Sequence, residues 1–288
     1  MTVKETRRTW SDKLRHAEVT EPEDSADFII AHALGEKTLS SVRQSYQVDK
    51  HTLQNIHNMM QKRLQHMPVQ YILEEWDFRD LTLKMKSPVL IPRPETEELV
   101  ELMMQDPVVA SAGHFVEIGT GSGAICLSLL KEYHSLCCTG VEPGDAAANL
   151  TKCNADRVGV TQRLNLLHMA LSSDTLDHVI DLCAHLQVDY IVSNPPYIPS
   201  HLLHSLQPEV RDFEDEKALD GGHDGLDIIR NILKFGASVL RPGGSLWLET
   251  DSSHPSIIED IASDHDMKFV KTHKDFQNLD RFCFLQKL

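Results

Sequence analysis

The strongest candidate for a chemical function is a four-residue segment that follows a short apolar run. The Asn-Pro-Pro-Tyr segment consists of Asn194, Pro195, Pro196 and Tyr197, and the apolar run covers residues 190–192. The Asn194 side-chain carbonyl is a hydrogen-bond acceptor, and Pro195 offers a carbonyl without a competing N–H donor. Two acceptors suit the two N–H bonds of a primary amide or an exocyclic amine, and Tyr197 supplies a flat face for a planar group. The segment therefore favours binding of an amide or amino nitrogen.

A glycine-rich turn upstream of this segment predicts a cofactor site. The turn consists of Gly119, Thr120, Gly121, Ser122 and Gly123. It follows a predicted strand and opens a predicted helix, a position at which bare backbone can approach a ligand. Glu142 ends the next predicted strand, about 20 residues on, where an acceptor for a ribose hydroxyl belongs.

The spacing of the glycines distinguishes between two nucleotide-like cofactors. The pattern is GxGxG and not the GxGxxG of turns that bind a pyrophosphate. S-adenosylmethionine has a ribose but no phosphates, so the pattern favours it over a nicotinamide cofactor. A plain strand–helix turn without a ligand is the third alternative. Taken with the Asn-Pro-Pro-Tyr segment, the turn predicts methyl transfer to nitrogen.

Such a transfer would be an in-line displacement in which positioning supplies much of the rate. An amide nitrogen is a poor nucleophile, and well-oriented reactants can recover about 7–11 kcal/mol of barrier. No nucleophilic Ser or Cys is needed. The alternatives for the Asn-Pro-Pro-Tyr segment are a stiff loop without chemistry and a polyproline ligand.

Composition limits the class of protein. The chain has 288 residues, 41% of them hydrophobic and 25% charged, with no apolar run of membrane-spanning length and no signal-peptide core. Six cysteines without CxxC spacing predict reduced thiols, and sixteen histidines without HxxxH or HExxH spacing predict no metal site. The net charge of −15 lowers the expectation of nucleic-acid binding and favours a basic partner. The basic segment 1–15 predicts a solvated first helix rather than the remnant of a targeting segment.

The order of predicted elements indicates a helical region followed by an α/β region. Residues 1–67 predict a small helical bundle, with one helix over residues 23–34 and a second that Asp49 caps and Pro68 ends. Residues 70–73 and 81–85 predict a β-hairpin. Further helices are predicted at residues 95–104, 124–133, 145–157, 177–186, 254–263 and 224–240, the last capped by Asp224. Strands are predicted at residues 114–118, 137–141, 164–168, 190–192, 245–249, 268–272 and 281–286.

This alternation predicts a mostly parallel sheet with helices on both faces. No helix separates the last two predicted strands, so one of them must run antiparallel.

The chain resembles the release-factor glutamine N5-methyltransferases, the PrmC/HemK family, over nearly its whole length. The segments that carry the resemblance are residues 68–72, 91–97, 117–123, 193–198, 218–226 and 280–282. The Pro-Arg-Pro-Glu element at residues 92–95 makes it more specific than the Asn-Pro-Pro-Tyr segment alone, which adenine and cytosine N-methyltransferases share.

The resemblance implies a class I S-adenosylmethionine-dependent methyltransferase with a Rossmann-like seven-stranded sheet whose last strand is antiparallel. It implies three parts: a helical domain at residues 1–67 that docks the substrate, a β-hairpin linker at residues 68–92 and a methyltransferase domain at residues 93–288. The implied reaction methylates the glutamine of the Gly-Gly-Gln loop of a peptide-chain release factor and yields S-adenosylhomocysteine. A monomer without nucleic-acid or membrane contacts is expected.

The resemblance also assigns roles to residues. Gly119 to Gly123 would meet the methionine end of the cofactor, Glu142 the ribose, and Leu171 the adenine. Asn194 would also lie against the cofactor. The Asn-Pro-Pro-Tyr segment would hold the glutamine amide, and Arg93 and Glu95 would line the pocket wall.

This chain departs from the family pattern at four places. Glu142 replaces a frequent Asp, an acid often found near residues 169–170 is missing, and residues 73–75 and 249–251 differ from the usual sequence.

Two other functions are compatible with these motifs: a nucleic-acid adenine or cytosine amino-methyltransferase, and a release-factor-binding scaffold that has lost catalysis. Residues 97–100 and 122–125 resemble the eukaryotic organellar branch of the family. They predict a mitochondrial matrix location, with the bacterial cytoplasm as the alternative.

Overall fold

Twelve helices and nine strands make up the chain, and the computed structural model describes residues 1–288. The helices are α1 (Val3–His16), α2 (Pro22–Ala33), α3 (Lys50–Arg63), α4 (Val69–Leu73), α5 (Pro94–Met104), α6 (Pro107–Ser111), α7 (Ala124–Glu132), α8 (Asp145–Val158), α9 (Leu176–Cys183), α10 (Pro208–Arg211), α11 (Asp227–Val239) and α12 (Pro255–Ala262). The strands are β1 (Glu75–Phe78), β2 (Leu81–Lys84), β3 (His114–Ile118), β4 (Cys137–Val141), β5 (Leu164–Leu167), β6 (Val188–Ser193), β7 (Leu240–Glu249), β8 (Met267–Lys274) and β9 (Asp280–Lys287). None of the helices combines the length and apolar character that crossing a membrane requires.

The chain divides into two compact units. The first, the helical unit, contains Met1–Trp76, Met85–Ser87 and Gln207–Phe213. The second, the sheet unit, contains Asp77–Lys84, Pro88–Leu206 and Glu214–Leu288. The short segment Gln207–Phe213 therefore belongs to the helical unit, although it lies far along the chain.

The helical unit begins its helices with the signals that the sequence carries. Asp49 accepts hydrogen bonds from the backbone N–H groups of His51 and Thr52, so the predicted cap of α3 is confirmed. Its core is an apolar cluster that includes Trp10, Leu14, Ile29, Ile30, Ile56 and Met60.

The prediction of a strand at residues 70–73 is wrong, because these residues form the short helix α4. Pro68 lies at its start, and its carbonyl accepts hydrogen bonds from the N–H groups of Tyr71 and Ile72. Glu74 then adopts a left-handed conformation (φ 60°), which ends the helix and leads the chain into β1. The hairpin pairs β1 with β2, so its first strand lies a few residues later than the sequence predicted.

The sheet unit contains a seven-stranded sheet in the order β5-β4-β3-β6-β7-β9-β8. The pairs β3 with β4, β3 with β6, β4 with β5 and β6 with β7 are parallel. Strand β9 runs antiparallel to both of its neighbours, β7 and β8. The predicted mostly parallel sheet with an antiparallel last strand is therefore confirmed.

The register of the central strands determines which residues meet at the carboxyl edge of the sheet. Ile118 of β3 is paired with Val141 of β4 on one side and with Ser193 of β6 on the other, and Ser193 is paired with Leu248 of β7. The residues that follow these strands therefore emerge side by side. Because the strand order reverses its direction of progress between β3 and β6, this edge is the usual place for a ligand in an open α/β sheet.

Helices cover both faces of the sheet with separate apolar clusters. One cluster includes Phe115 and Tyr190, whose rings stack with centroids 4.8 Å apart, together with residues of α5 and α7. The other cluster joins Val116 and Ile191 to residues of α9, α11 and α12. This burial on both faces explains the unbroken apolar run at residues 190–192 of β6.

Asp224 does not cap helix α11, contrary to the sequence prediction, because the helix begins at Asp227. The Asp224 carboxylate instead accepts hydrogen bonds from the guanidinium of Arg230, which lowers the pKa of Asp224 to about 2. At its other end α11 passes directly into β7, which starts at Leu240 and includes Pro242. The strand is therefore longer than predicted.

Candidate active site

The glycine turn places bare backbone at the carboxyl end of β3. Gly119, Gly121 and Gly123 all have positive φ values, of +77°, +57° and +86°. A Cβ on Gly123 would lie 2.7 Å from a Leu127 methyl carbon, whereas a Cβ on Gly121 would meet nothing within 4 Å. Gly123 is therefore required for packing against α7, and Gly121 faces open space where a ligand can approach.

Side chains of α8 form hydrogen bonds to the backbone of the glycine turn. The Thr151 hydroxyl donates to the carbonyl of Gly121 at 2.9 Å, and the Asn154 amide donates to the carbonyl of Ser122 at 2.9 Å. A further hydrogen bond of 3.0 Å joins the hydroxyls of Thr120 and Thr151. These contacts fix the shape of the turn and leave the open side of Gly121 free of side chains.

Glu142 directly follows β4 and extends its carboxylate across the glycine turn. Its Oε2 accepts a hydrogen bond from Gly121 N at 2.9 Å, and its Oε1 accepts one from Gly144 N at 2.8 Å. Burial raises the pKa of Glu142, and the two backbone N–H donors oppose this shift. Each carboxylate oxygen can accept a second hydrogen bond, so the pair of oxygens fits the two hydroxyls of a ribose.

Glu117, on β3, supports the turn from inside the protein. It is buried, and its Oε2 accepts a hydrogen bond of 3.0 Å from Cys126 N in the first turn of α7. Burial raises the pKa of Glu117 well above its ordinary value. The sequence motif included this residue, but only the fold shows that it holds the start of the helix.

Asn194 directly follows β6 and lies beside the glycine turn. A Cβ built on Gly119 would lie 4.0 Å from the backbone oxygen of Asn194. The Asn194 Nδ2 donates to Thr96 Oγ1 at 3.2 Å, and Thr96 Oγ1 donates to Glu249 Oε2 at 2.8 Å. The amide nitrogen of Asn194 is thus used inside the protein, which leaves its Oδ1 as the atom with which to accept a hydrogen bond from a substrate.

A glycine-containing loop packs against the backbone of the Asn-Pro-Pro-Tyr segment. A Cβ on Gly225 would lie 2.3 Å from the Tyr197 carbonyl oxygen, and a Cβ on Gly221 would lie 2.8 Å from the Tyr197 Cα. Ile198 N donates to Leu219 O at 3.0 Å, and Gly221 N donates to Ile198 O at 2.8 Å. Backbone therefore packs on backbone, which restricts the position of Tyr197.

Tyr197 remains a neutral phenol at physiological pH. Burial raises its pKa well above the ordinary value, and the nearby carboxyl of Glu249 acts in the same direction. The side chain can therefore provide a flat neutral surface, as the sequence predicted for a planar amide.

Arg93 and Glu95 lie at the start of α5, the helix that carries Thr96. Arg93 Nη2 donates to Glu214 Oε1 at 2.6 Å, and Glu95 Oε1 accepts from Gln277 Nε2 at 3.3 Å. Burial raises the pKa of Glu214, and Arg93 opposes this shift. Both predicted wall residues are therefore engaged with other parts of the sheet unit.

Leu171 is buried in the same apolar cluster as Ile118 and Val141, the last residues of β3 and β4. Its backbone carbonyl accepts a hydrogen bond of 3.3 Å from Asn231 Nδ2. The structure thus brings Leu171 to the part of the sheet edge where Glu142 begins.

Sequence reasoning missed Thr96 and Glu249 as functional candidates. Both are buried, and they are 153 positions apart in the chain. The register of β6 and β7 places Glu249 beside Asn194, because the preceding residues Leu248 and Ser193 are paired. Both residues lie in segments that were compared with the family pattern, residues 91–97 and 249–251, but nothing in the sequence linked them to Asn194.

The chain is similar in sequence to proteins of one family. Residues 5–73 match the family model of the PrmC N-terminal domain. The whole chain is 38% identical to human MTRF1L release factor glutamine methyltransferase, over 96% of this chain and 85% of that protein. It is 36% identical to the release factor glutamine methyltransferase of Gloeobacter violaceus, over 75% of this chain and 73% of that protein.

The fold is shared with solved methyltransferase structures. SMU.776, a candidate methyltransferase crystallised with SAH, superposes with a TM-score of 0.52 at 10% identity, over 74% of this chain and 56% of that chain. At this identity the likeness concerns the fold alone. The sheet unit has the class I methyltransferase fold, as the sequence predicted.

Proposed function

The chain belongs to the family of release factor glutamine methyltransferases, and we propose that it methylates the side-chain amide nitrogen (N5) of the glutamine in the Gly-Gly-Gln loop of a peptide-chain release factor. Its cofactor is S-adenosyl-L-methionine, which supplies an activated methyl group on a sulfonium centre and becomes S-adenosyl-L-homocysteine. Methylation of this loop would modulate translation termination.

The observation that carries this proposal is the orientation of the Asn194 amide. Its nitrogen donates to Thr96 Oγ1, so Oδ1 is the atom that can accept from the substrate. With the carbonyl of Pro195 it provides two acceptors for the two N–H bonds of a glutamine amide. Held in this way, the amide nitrogen can present its lone pair, and positioning of this kind can supply about 7–11 kcal/mol of the barrier.

Other residues would bind the cofactor beside this amide. We assign Gly119, Thr120, Gly121, Ser122 and Gly123 to its methionine end, because Gly121 faces open space at this edge. The carboxylate of Glu142 would accept the ribose hydroxyls, and Leu171 would lie beside the adenine. Arg93 and Glu95, at the start of α5, would line the wall of the glutamine pocket.

We further propose that the helical domain docks the release factor, and that the protein acts as a monomer without direct nucleic-acid contacts. The net charge of −15 supports a basic protein partner over nucleic acid. It also disfavours the alternative activity, methylation of a flipped base, which requires a basic cleft. Light scattering of the protein tests the monomer, and a dimer at micromolar concentration would contradict it.

A mitochondrial matrix location is proposed on the resemblance of residues 97–100 and 122–125 to the organellar branch. Similarity to a human relative over 96% of the chain is compatible with it. Cell fractionation with an antibody to the chain tests this location, and recovery of the protein outside mitochondria would overturn it.

The direct test of the reaction uses purified release factor, S-adenosylmethionine and the variant Asn194→Ala. We expect the wild-type protein to add one methyl group to the loop glutamine, as read by mass spectrometry of the tryptic peptide. Asn194→Ala should keep its affinity for S-adenosylmethionine in titration calorimetry but lose transfer by a factor of at least about 100.

Asn165→Ala, at an exposed position of β5, is the matched control and should remain fully active. Full activity of Asn194→Ala would refute the role of the Asn-Pro-Pro-Tyr segment. A wild-type protein that methylates DNA or RNA but no release factor would refute the proposed substrate.

A further inference from the structure

We infer that Thr96 and Glu249 are positioning residues: ionised Glu249 fixes the direction of the Thr96 hydroxyl, and Thr96 in turn fixes the Asn194 amide with its oxygen toward the substrate. This inference rests on the proposed function, because it concerns the group that would hold the glutamine. It adds two residues to the site, and it makes methyl transfer depend on the ionisation of a buried carboxyl.

The geometry for this chain of hydrogen bonds is contained within the sheet unit. Asn194 Nδ2 lies 3.2 Å from Thr96 Oγ1, which lies 2.8 Å from Glu249 Oε2. Thr96 is 3% exposed and Glu249 is 1% exposed, so water cannot readily replace either partner. The three groups come from three elements: the end of β6, the first turn of α5 and the end of β7.

The Thr96 hydroxyl has a single proton, so the partner to which it donates determines which hydrogen bond it can accept. An ionised carboxylate can only accept, so Thr96 must donate its proton to Glu249 and can only accept from Asn194. The Asn194 nitrogen is then drawn inward and Oδ1 faces outward. If Glu249 is protonated, it can donate to Thr96, which can then donate to Asn194 Oδ1 and turn the NH₂ group toward the substrate.

The outward NH₂ orientation would oppose binding of the glutamine amide. An N–H donor of the substrate would then meet the NH₂ group of Asn194, which leaves donors without an acceptor in the complex. The protonated form of Glu249 is therefore the inactive form, and the ionised form is the active one.

Several charged or titratable groups face Glu249 and set its ionisation. Burial is the largest effect and raises the pKa of Glu249 to about 7. The hydrogen bond from Thr96 and the positive charges of Arg281 on β9 and Arg93 at the start of α5 oppose this shift, whereas Glu95 adds to it. The phenol of Tyr197 also lies within electrostatic range of Glu249 and stays neutral. Ionisation of Glu249 thus falls in the physiological range.

The kinetic test compares Thr96→Val, Thr96→Ser and Glu249→Gln with the wild type, at saturating S-adenosylmethionine and release factor. The wild-type kcat should rise with pH with an apparent pKa near 7, because Glu249 must lose its proton. Thr96→Val keeps the shape of the side chain but removes the hydroxyl, and kcat should fall about tenfold. Thr96→Ser restores the hydroxyl and should recover activity to within about threefold of the wild type.

Glu249→Gln removes the titrating group and should abolish the pH dependence near neutrality. Its kcat at pH 8 should be lower than that of the wild type, because a glutamine at this position can offer Thr96 either oxygen or NH₂. Affinity for S-adenosylmethionine should be unchanged in all three variants. An unchanged kcat in Thr96→Val, or the same pH profile in Glu249→Gln as in the wild type, would overturn the inference.

A second readout does not require activity. In protein labelled with ¹⁵N at asparagine side chains, the Asn194 NH₂ signals, assigned with Asn194→Ala, should titrate with a midpoint near pH 7. The titration should vanish in Glu249→Gln, and the signals should shift in Thr96→Val. If the Asn194 NH₂ signals respond neither to Glu249→Gln nor to Thr96→Val, the inferred roles of Glu249 and Thr96 are refuted, even if methyl transfer is seen. Absence of transfer from a wild-type protein that shows the titration would instead refute the proposed substrate.

Discussion

Single residues at the carboxyl edge of the sheet form hydrogen bonds within the protein and keep further acceptor capacity that a ligand could use. Glu142 shows this clearly, since each of its oxygens accepts a backbone N–H and retains a lone pair. The departure from the Asp that is frequent in the family has a physical account here. The Glu142 carboxylate reaches Gly121 N with one oxygen and Gly144 N with the other.

Replacing Glu142 tests its role in cofactor binding. In Glu142→Gln one backbone N–H would face an NH₂ group in place of an oxygen, and a ribose hydroxyl would lose an acceptor. We expect affinity for S-adenosylmethionine, measured by titration calorimetry, to fall about 10- to 100-fold. Glu132→Gln, an exposed change at the end of α7, should bind like the wild type. Equal affinities in the two variants would show that Glu142 does not contact the cofactor.

At the scale of elements, the sequence predicted the order and direction of the strands, because short strand-like segments alternate with segments of helical periodicity. The sequence prediction failed at two places, the strand at residues 70–73 and the helix cap at Asp224. Residues 71–73 are apolar and include the β-branched Ile72, which favours a strand, yet Pro68 begins a helical turn there and Glu74 ends it. Asp224 looked like a helix cap, but the helix begins only at Asp227, and the Asp224 carboxylate accepts hydrogen bonds from Arg230 and from Leu226 N.

The candidate site was predictable only in the parts that are contiguous in sequence. The glycine turn and the Asn-Pro-Pro-Tyr segment each provide several adjacent residues of one function, so their types and spacing can be recognised. Thr96 and Glu249 are isolated polar residues in the sequence: the pairing of β6 with β7 brings Glu249 to Asn194, and the packing of α5 brings Thr96 there. No periodicity or spacing records such a contact.

The loop that packs on the Asn-Pro-Pro-Tyr segment provides a prediction about element packing. In Gly225→Ala the new methyl group would collide with the Tyr197 carbonyl, 2.3 Å away, and displace the segment from its position. We expect kcat to fall at least about tenfold while affinity for S-adenosylmethionine is retained, since misplacement of reacting groups is costly.

The matched control for this change is Gly159→Ala. Gly159 has the same φ of +80° as Gly225, but a Cβ there meets nothing within 4 Å. It should therefore show only the backbone strain, about 1 kcal/mol of lost stability, with normal kcat. If both variants lose activity equally, backbone strain and not contact with Tyr197 is the cause.

At the scale of the whole molecule, the helical unit is assembled from distant parts of the chain. Glu209, in the segment Gln207–Phe213, accepts hydrogen bonds from Arg63 Nη1 at 3.2 Å and from the Thr20 hydroxyl at 2.9 Å. Burial would raise the pKa of Glu209, but hydrogen bonds from Thr20 and His66 lower it below its ordinary value. The stability that this carboxylate contributes is present above the ordinary glutamate pKa and is lost as the pH falls through the lowered one.

Glu209→Gln should destabilise the helical unit, because it leaves the buried guanidinium of Arg63 without a countercharge. Loss of one partner of a buried pair costs about 3–5 kcal/mol, which urea unfolding at pH 7 would detect. The difference from the wild type should shrink as the pH falls through the lowered pKa of Glu209, because the wild-type carboxyl is then itself protonated. Glu216→Gln, an exposed change nearby in sequence, should leave the urea midpoint within error. A stability of Glu209→Gln equal to that control would contradict the importance of this pair.

Because the Asn194 nitrogen points into the protein, the site should discriminate between glutamine and glutamate in the substrate loop. A loop glutamine that has deamidated to glutamate has no N–H to offer and brings a negative charge toward two carbonyl oxygens. A site that accepts hydrogen bonds from a substrate N–H rejects an analogue without that N–H far more strongly than it rejects one of a different size. A release factor with a deamidated loop glutamine would therefore be left unmodified, and it could not compete with intact release factor.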